Sequence, residues 1–344
     1  MSRFRKASLE GFEPYVPGIQ PPDGETWVKL NTNESPFPPA PAVRGAVDAM
    51  IDRLPLYPDP GQTEFREAVS EALDVTPEMV VGGNGADEVL AIALRAFVPA
   101  GGRAAFLEPS YTLIPKLCAI HEVAGEEHPF APGYRLPASF IESEAPLKFV
   151  TNPNSPTGTL VPLEDIAQLC RASRGVVLLD EAYVDFAPSS GLEILADHEN
   201  LLLVRSMSKS YGLAGLRVGF ALGAPALVAD LWTVKDICNL GRLPLVAATA
   251  AMRDREYWRS CVDGTILNRR LLSEELTRRG WEVLPSGANF IFATPPSPAE
   301  EVYRHLLARK VLVRYFPRPS VRHGLRVSVG TTEQCQAFLD ALEG

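Results

Sequence analysis

Leu201-Leu202-Leu203-Val204 runs directly into Arg205-Ser206-Met207-Ser208-Lys209-Ser210-Tyr211-Gly212-Leu213-Ala214-Gly215-Leu216-Arg217. The apolar part has the length of a strand covered on both faces, and the polar part that follows is rich in small residues. Two serines, a lysine and, eight residues beyond it, an arginine form a set with chemical use. The hydroxyls and the guanidinium can hold a phosphate dianion, while the lysine amine reaches an aldehyde at the other end of the same small molecule.

Working outward, the same punctuation recurs. Strands are expected near Val80-Val81, Arg103 to Leu107, Leu147 to Thr151, Val176 to Asp180, Leu201 to Arg205 and Val218 to Leu222. Helical spacing separates them, as at Thr63 to Leu73, Ala86 to Phe97 and Leu163 to Ser173, with Thr63 in an N-cap place. Short apolar strands alternating with helices predict an α/β fold with a largely parallel sheet covered on both faces, its site beyond the carboxyl ends of the strands. A helical stretch from Leu243 to Arg279, interrupted around Asp263-Gly264, leads to strands at Asn289 to Ala293, Val311 to Tyr315 and Leu325 to Val329 and helices at Pro298 to Arg309 and Thr332 to Leu342. That end reads as a smaller α+β domain. Proline crowds the first forty residues, which read as an extended arm. The expected division is an arm at 1–40, a large domain at 41–245 and a small domain at 246–344.

Composition narrows the function. A chain of 344 residues with 33 basic and 42 acidic side chains has a net charge of -9, and no basic block offers a track for a nucleic-acid backbone. No apolar run approaches the length of a membrane span. Cys118, Cys170, Cys238, Cys261 and Cys335 lie scattered without a CxxC pair, which suggests reduced thiols in a cytoplasm and no metal site. Nucleic-acid and membrane partners are therefore not expected.

Four further motifs stand at strand ends or helix starts. Gly82-Gly83-Asn84-Gly85-Ala86-Asp87-Glu88 brings backbone amides and a helix N-terminus toward an anion. Pro109-Ser110-Tyr111 sets an aromatic ring where it can lie against a flat heterocycle. Thr151-Asn152-Pro153-Asn154-Ser155-Pro156-Thr157-Gly158 is a turn able to present an amide to a phenolic oxygen. In Val176-Val177-Leu178-Leu179-Asp180-Glu181-Ala182-Tyr183 a carboxylate ends a buried strand, a costly place unless it meets a cation such as a protonated pyridine nitrogen.

Together, in this order, the motifs resemble those of class-II aminotransferases of fold type I, and closest among them the histidinol-phosphate aminotransferase family. The likeness extends from Leu30-Asn31-Thr32-Asn33-Glu34-Ser35-Pro36 through Tyr57-Pro58 to Leu325-Arg326-Val327-Ser328-Val329-Gly330-Thr331. It implies pyridoxal 5′-phosphate as cofactor. By that resemblance Lys209 is the Schiff-base lysine, Asp180 pairs with the pyridine nitrogen, Tyr183 contacts O3′ and Tyr111 stacks on the ring. The cofactor phosphate would sit among the amides of Gly85, Ala86 and Asp87, the hydroxyls of Ser206 and Ser208, and Arg217. Tyr57 would reach the partner's cofactor in a homodimer. The family's asparagine before Pro-Thr-Gly is replaced by Ser155, so either Asn154 turns into the O3′ place or Ser155 takes it over.

The same resemblance implies the substrates. Arg326 resembles the arginine that receives the α-carboxylate of glutamate and 2-oxoglutarate, and Arg314 the residue for the phosphate of histidinol phosphate. Tyr15, on the arm, and Asn31 complete the substrate set. The implied reaction exchanges the amino group of an amino donor, L-histidinol phosphate, with the 2-oxo acid 2-oxoglutarate in histidine biosynthesis. An aromatic-amino-acid aminotransferase and a threonine-phosphate decarboxylase on the same scaffold are the competing readings.

Overall fold

The computed structural model describes residues 2–343 apart from 5, 7, 8, 10, 11 and 23. Its strands in chain order are β1 (Val28–Lys29), β2 (Val80–Asn84), β3 (Arg103–Glu108), β4 (Ala124–Pro129), β5 (Leu147–Thr151), β6 (Val176–Asp180), β7 (Leu201–Ser206), β8 (Val218–Gly223), β9 (Glu282–Val283), β10 (Phe290–Thr294), β11 (Val311–Leu312), β12 (Arg314–Tyr315) and β13 (Leu325–Ser328). Seven of them form one sheet in the order β2-β8-β7-β6-β5-β3-β4. The α/β class expected from the alternation of strands and helices is what the chain adopts.

Strands β5 to β8 are buried at every residue, so their side chains divide between two apolar layers. Leu201, Leu203, Leu179 and Val150 enter one cluster with Phe65, Val69 and Phe220. Leu202, Val204, Leu178 and Phe149 enter the other with Leu90, Phe106 and Val81. Successive side chains of a strand point to opposite faces, and helices cover both. Six strands are parallel, while β8 runs antiparallel to β2 and to β7. No α-helix joins β7 to β8; the chain returns through a loop with one 3-10 turn (Ala214–Leu216) and a left-handed Arg217 (φ 53°), with the Met207 amide donating to the Val218 carbonyl at 2.9 Å. A parallel neighbour would need a crossover.

A second, four-stranded antiparallel sheet has the order β12-β13-β10-β9. Its core joins Ile291, Val327 and Leu325 to Leu276, Leu306 and Phe338 of the covering helices. Strand β1 of the arm pairs in parallel with β11 in a separate two-stranded sheet, and the Ser328 amide of β13 donates to the Leu30 carbonyl at 2.9 Å, which fastens the end of the arm to the second sheet. No helix among the described residues is long and apolar enough to cross a membrane.

Several expectations need correction. Val311 to Tyr315 is not one strand: β11 pairs with β1 and β12 with β13, so Val313 marks a change of partner. The helical stretch after Leu243 breaks at Asp254, between helices Arg242–Arg253 and Arg255–Arg278, not at Asp263-Gly264. The Asp254 side chain accepts from the Tyr257 amide at 3.2 Å and so caps the second helix. Gly264 lies inside that helix, where a Cβ would come within 3.2 Å of the Phe37 ring; the glycine permits a close approach instead of ending the helix. Thr63 is the first helical residue, not the cap, and its amide donates to the Asp59 carboxylate at 2.7 Å. Strand β4 and helix Leu113–Ile120 were not anticipated; Ala-Gly-Glu-Glu-His-Pro carries no apolar alternation because β4 is a largely exposed edge.

Candidate active site

The carboxyl ends of β3, β5, β6 and β7 open on one edge of the large sheet, beside the start of helix Gly85–Phe97. There one cavity is lined by Ala86, Asp87, Tyr111, Thr151, Ser155, Asp180, Ala182, Tyr183, Ser206, Ser208, Lys209 and Arg217. Ten of the side chains or helix-start residues singled out in the sequence therefore meet, although they span residues 86 to 217. Each arrives because its motif follows a strand that the sheet buries.

Lys209 is enclosed. Its amine donates to the Thr32 carbonyl at 3.3 Å and stands 5.7 Å from the Tyr183 ring centroid. Burial, and then the nearby guanidinium of Arg326, pulls the amine down to about 8, against the pull of Glu34 and Asp87. Asp180 is pushed up to about 7, chiefly by burial, with Asp87 and Glu181 adding to the rise and the Ala182 amide opposing it. That amide, at 3.1 Å, is its hydrogen-bond donor, and no lysine or arginine among the described residues forms an ion pair with it. The phenol of Tyr183, raised by burial, accepts from the Asn33 amide nitrogen at 3.1 Å.

At the other end, Asp87 accepts from the Tyr111 hydroxyl at 3.0 Å and from Arg217 at 2.8 Å. Gly85 has φ +80°, and a Cβ there would lie 2.4 Å from Nη2 of Arg217, so only glycine lets the arginine lie over the helix start. The Ser208 hydroxyl is buried with no partner. A helix N-terminus, two serines and an arginine make a cradle suited to a phosphate.

Asn154 and Ser155 part company. The Asn154 amide donates to the Pro109 carbonyl at 2.9 Å and to Thr157 Oγ1 at 2.8 Å. Ser155 lines the cavity and accepts from Arg326 Nη1 at 3.1 Å. Arg326 also donates from Nη2 to the Asn31 carbonyl at 2.9 Å, and its buried Nε has no partner. It faces an adjoining pocket shared with Tyr15, Ser110, Arg314, Phe316 and Arg318. The side chain of Asn31 is turned away, donating to the Ile19 carbonyl at 2.8 Å and so fixing the arm. Tyr57 lies outside both pockets on the surface, 86% exposed.

Sequence reasoning missed the supports. Asn33 is held by Ser328, whose hydroxyl donates to Oδ1 at 2.9 Å, and its carbonyl accepts from Asn289 at 3.0 Å. Glu181 and Arg205 form a buried pair at 3.0 Å, and the carboxylate also accepts from the Gly191 amide at 2.6 Å and the Ser190 hydroxyl at 3.2 Å. This pair ties the end of β6 to the end of β7. The run of carboxylate after Asp180 and arginine before Ser206 was a visible signal, but only their pairing in space gives it meaning. No cluster of histidine, cysteine, aspartate or glutamate able to hold a metal occurs among the described residues.

Residues 25–342 match the family described as aminotransferase class I and II. The histidinol-phosphate aminotransferase 1 of a Nostoc species is 40% identical over 345 residues, which is 99% of this chain and 98% of that one. The histidinol-phosphate aminotransferase of Geobacter sulfurreducens is 39% identical over 343 residues, 98% of each. The chain belongs to the histidinol-phosphate aminotransferase family. Among solved structures, the Sinorhizobium meliloti histidinol-phosphate aminotransferase in complex with pyridoxal-5′-phosphate superposes with a TM-score of 0.85 at 26% identity, covering 91% of this chain and 89% of that one. The family resemblance carried by the strand-end motifs thus extends along essentially the whole chain.

Proposed function

We propose that this protein is a pyridoxal-phosphate-dependent aminotransferase that moves the amino group between L-histidinol phosphate and 2-oxoglutarate in histidine biosynthesis. The observation that carries the reading is the meeting of a half-buried lysine and a buried, unpaired carboxylate in one cavity whose neighbouring pocket holds three arginines. Lysine and aspartate suit the cofactor, and the arginines suit a substrate bearing a phosphate.

The residues present fit the cofactor. Ser206, Ser208, Arg217 and the amides of Gly85, Ala86 and Asp87 would hold its phosphate, and the partnerless Ser208 hydroxyl is a donor awaiting such a group. Asp180 would meet its protonated ring nitrogen, and Tyr111 its face. Tyr183, supported by Asn33, and Ser155 serve the phenolic oxygen, the reading in which Asn154 stays a turn residue. Bound pyridoxal phosphate supplies an electron sink for the charge left at a substrate carbon that loses its proton.

Lys209 then does the proton work. With its amine drawn down to about 8, a useful fraction is uncharged near neutral pH and can take the proton from the substrate Cα. The same amine, as ammonium, returns a proton. Asp180 stays ionised only against a cation, so its burial favours a charged ring nitrogen in contact with it. Arg326 has an unused Nε to offer an anionic substrate group. Tyr15, raised above its ordinary value by burial, keeps its proton and can donate from the arm.

A homodimer and a cytoplasmic location belong to the same reading. Ile51, Leu54, Leu56 and Tyr57 are about half or more exposed along one short segment, an apolar strip suited to a second copy in which Tyr57 reaches the partner's cofactor. The five cysteines are unpaired, as suits a reducing compartment. The division into an arm (1–40), a cofactor-holding unit (41–245) and a smaller unit (246–344) is part of it too.

The test follows the cofactor's visible absorption during single half-reactions with L-histidinol phosphate, L-threonine phosphate and L-phenylalanine, with Lys209→Ala as control. Fastest bleaching by histidinol phosphate, reversed by 2-oxoglutarate and absent from the control, is the expected outcome. Carbon dioxide release from threonine phosphate would move the protein to the decarboxylases, and faster bleaching by phenylalanine to the aromatic enzymes.

A further inference from the structure

We propose that Arg318, held at the mouth of the substrate pocket by Glu108, is the residue that sets the preference of this site for a phosphate ester over a carboxylate. The inference rests on the aminotransferase reading and adds to it the determinant of substrate class.

The three arginines of the pocket are not equivalent. Arg326 is at the deep end, between Ser155 and the Asn31 carbonyl, with its guanidinium carbon 5.3 Å from the Phe290 ring centroid. Arg314 spends both terminal nitrogens on the arm, donating to the Val16 carbonyl at 2.8 Å and the Pro17 carbonyl at 3.1 Å. Phe316 stands by both, its centroid 5.2 Å from Arg314 and 5.4 Å from Arg326. Arg318 differs: its side chain is 37% exposed, and Nη2 lies 3.2 Å from Oε1 of Glu108.

That carboxylate oxygen also accepts from the Ser320 hydroxyl at 2.8 Å. Glu108 ends β3 and directly precedes Pro109-Ser110-Tyr111, so the contact ties the loop after β12 to the segment that carries Tyr111. A monoanionic carboxylate at the deep end is matched by Arg326 alone. A phosphate ester brings nearly two charges and three acceptor oxygens, and it extends further from the reacting carbon. Its second charge falls toward the mouth, where Arg318 can turn its fork from Glu108 to the phosphate. Glu108 keeps the guanidinium in place, and partly neutralised, when a carboxylate substrate is bound instead. A dicarboxylate and a phosphate ester can thereby use one pocket in turn.

The test uses the pyridoxal-phosphate-loaded enzyme, in which the cofactor's own phosphate fills the other anion site. Dissociation constants of two non-reacting probes, inorganic phosphate and maleate, are measured by calorimetry for the wild type, Arg318→Gln, Arg318→Lys and Glu108→Gln. Arg318→Gln is expected to weaken phosphate about 10- to 100-fold, the worth of a charge-assisted hydrogen bond, and to leave maleate within about threefold. Arg318→Lys keeps charge without the fork and should fall between. Glu108→Gln preserves an acceptor for Ser320 but releases the arginine's charge, so phosphate should tighten by about two- to fivefold. Equal losses for phosphate and maleate in Arg318→Gln, or a loss of phosphate binding in Glu108→Gln as large as that in Arg318→Gln, would overturn the proposal and leave only a structural latch. Failure of the wild type to favour histidinol phosphate in the half-reaction would instead sink the substrate reading, and the phosphate and maleate constants would still decide the role of Arg318.

Discussion

Replacing Asp180 by asparagine should stabilise the cofactor-free protein above neutral pH while it ruins the enzyme. The carboxyl is buried, held up to about 7, and receives the Ala182 amide as its hydrogen-bond donor. An unfolded aspartate loses its proton near ~3.9. Between those values the folded chain keeps a proton that the unfolded chain has released, so folding binds more protons and stability falls as pH rises. About three pH units at about 1.36 kcal/mol each amount to about 4 kcal/mol of lost stability by pH 8, of which about 1.5 has accrued by pH 5. Asparagine has no proton to lose and retains an acceptor for the Ala182 amide. The stability of Asp180→Asn relative to the wild type should therefore grow by about 2.5 kcal/mol between pH 5 and pH 8.

Urea unfolding of cofactor-stripped protein, followed by tryptophan fluorescence at one fixed protomer concentration, measures this directly. Lys209, its amine lowered to about 8, begins to titrate only near the upper end of the window and does so in both proteins. Reloading with pyridoxal phosphate should reverse the order, since the ring nitrogen gives the aspartate its cation and the asparagine nothing. A difference that stays constant from pH 5 to pH 8, or that shrinks, would refute the idea that Asp180 is an unpaired buried acid in the absence of cofactor.

Gly85→Ala should weaken cofactor binding by about tenfold or more, because a left-handed alanine costs about 1–2 kcal/mol and its Cβ meets Arg217 at 2.4 Å; fluorescence titration with pyridoxal phosphate checks it, and unchanged affinity would mean that Arg217 does not lie over the helix start in the loaded enzyme. Arg205→Met should destabilise the fold by about 3–5 kcal/mol by leaving Glu181 buried without its partner, whereas Arg205→Met combined with Glu181→Met should recover most of that loss. Chemical unfolding of the two variants decides the matter, and a double variant no more stable than the single one would show that the pair contributes packing and not charge compensation.

What the sequence made legible is the part governed by local periodicity. The strands β5, β6 and β7 announce themselves as short apolar runs because both of their faces are buried, and Asp180, Ser206 and Lys209 follow from where those runs stop. Strand β4 escaped because an exposed edge needs no apolar pattern, and the split of β11 from β12 escaped because a change of pairing partner leaves no mark on composition. The supports of the site are of a third kind. Asn33 meets Tyr183 across 150 residues and Ser328 across 295, and Glu108 meets Ser320 across 212. Polar pairs at such separations have no period to reveal them.

The choice between Asn154 and Ser155 shows how finely this limit cuts. By residue type the amide is the better donor to a phenolic oxygen, and the two positions are one step apart in the same turn. The turn itself decides. The Asn154 amide group donates to the Thr159 carbonyl at 2.8 Å and its carbonyl accepts from Gly158 at 2.7 Å, so both backbone groups are committed inside the loop. Its side-chain nitrogen is taken up by Thr157 Oγ1 and the Pro109 carbonyl, while Oδ1 is buried without a partner. Ser155, the next residue, faces the cavity and meets Arg326. Hydrogen bonding within the turn, not the donor strength of the side chains, is what brings Ser155 and not Asn154 to the cavity wall beside Arg326.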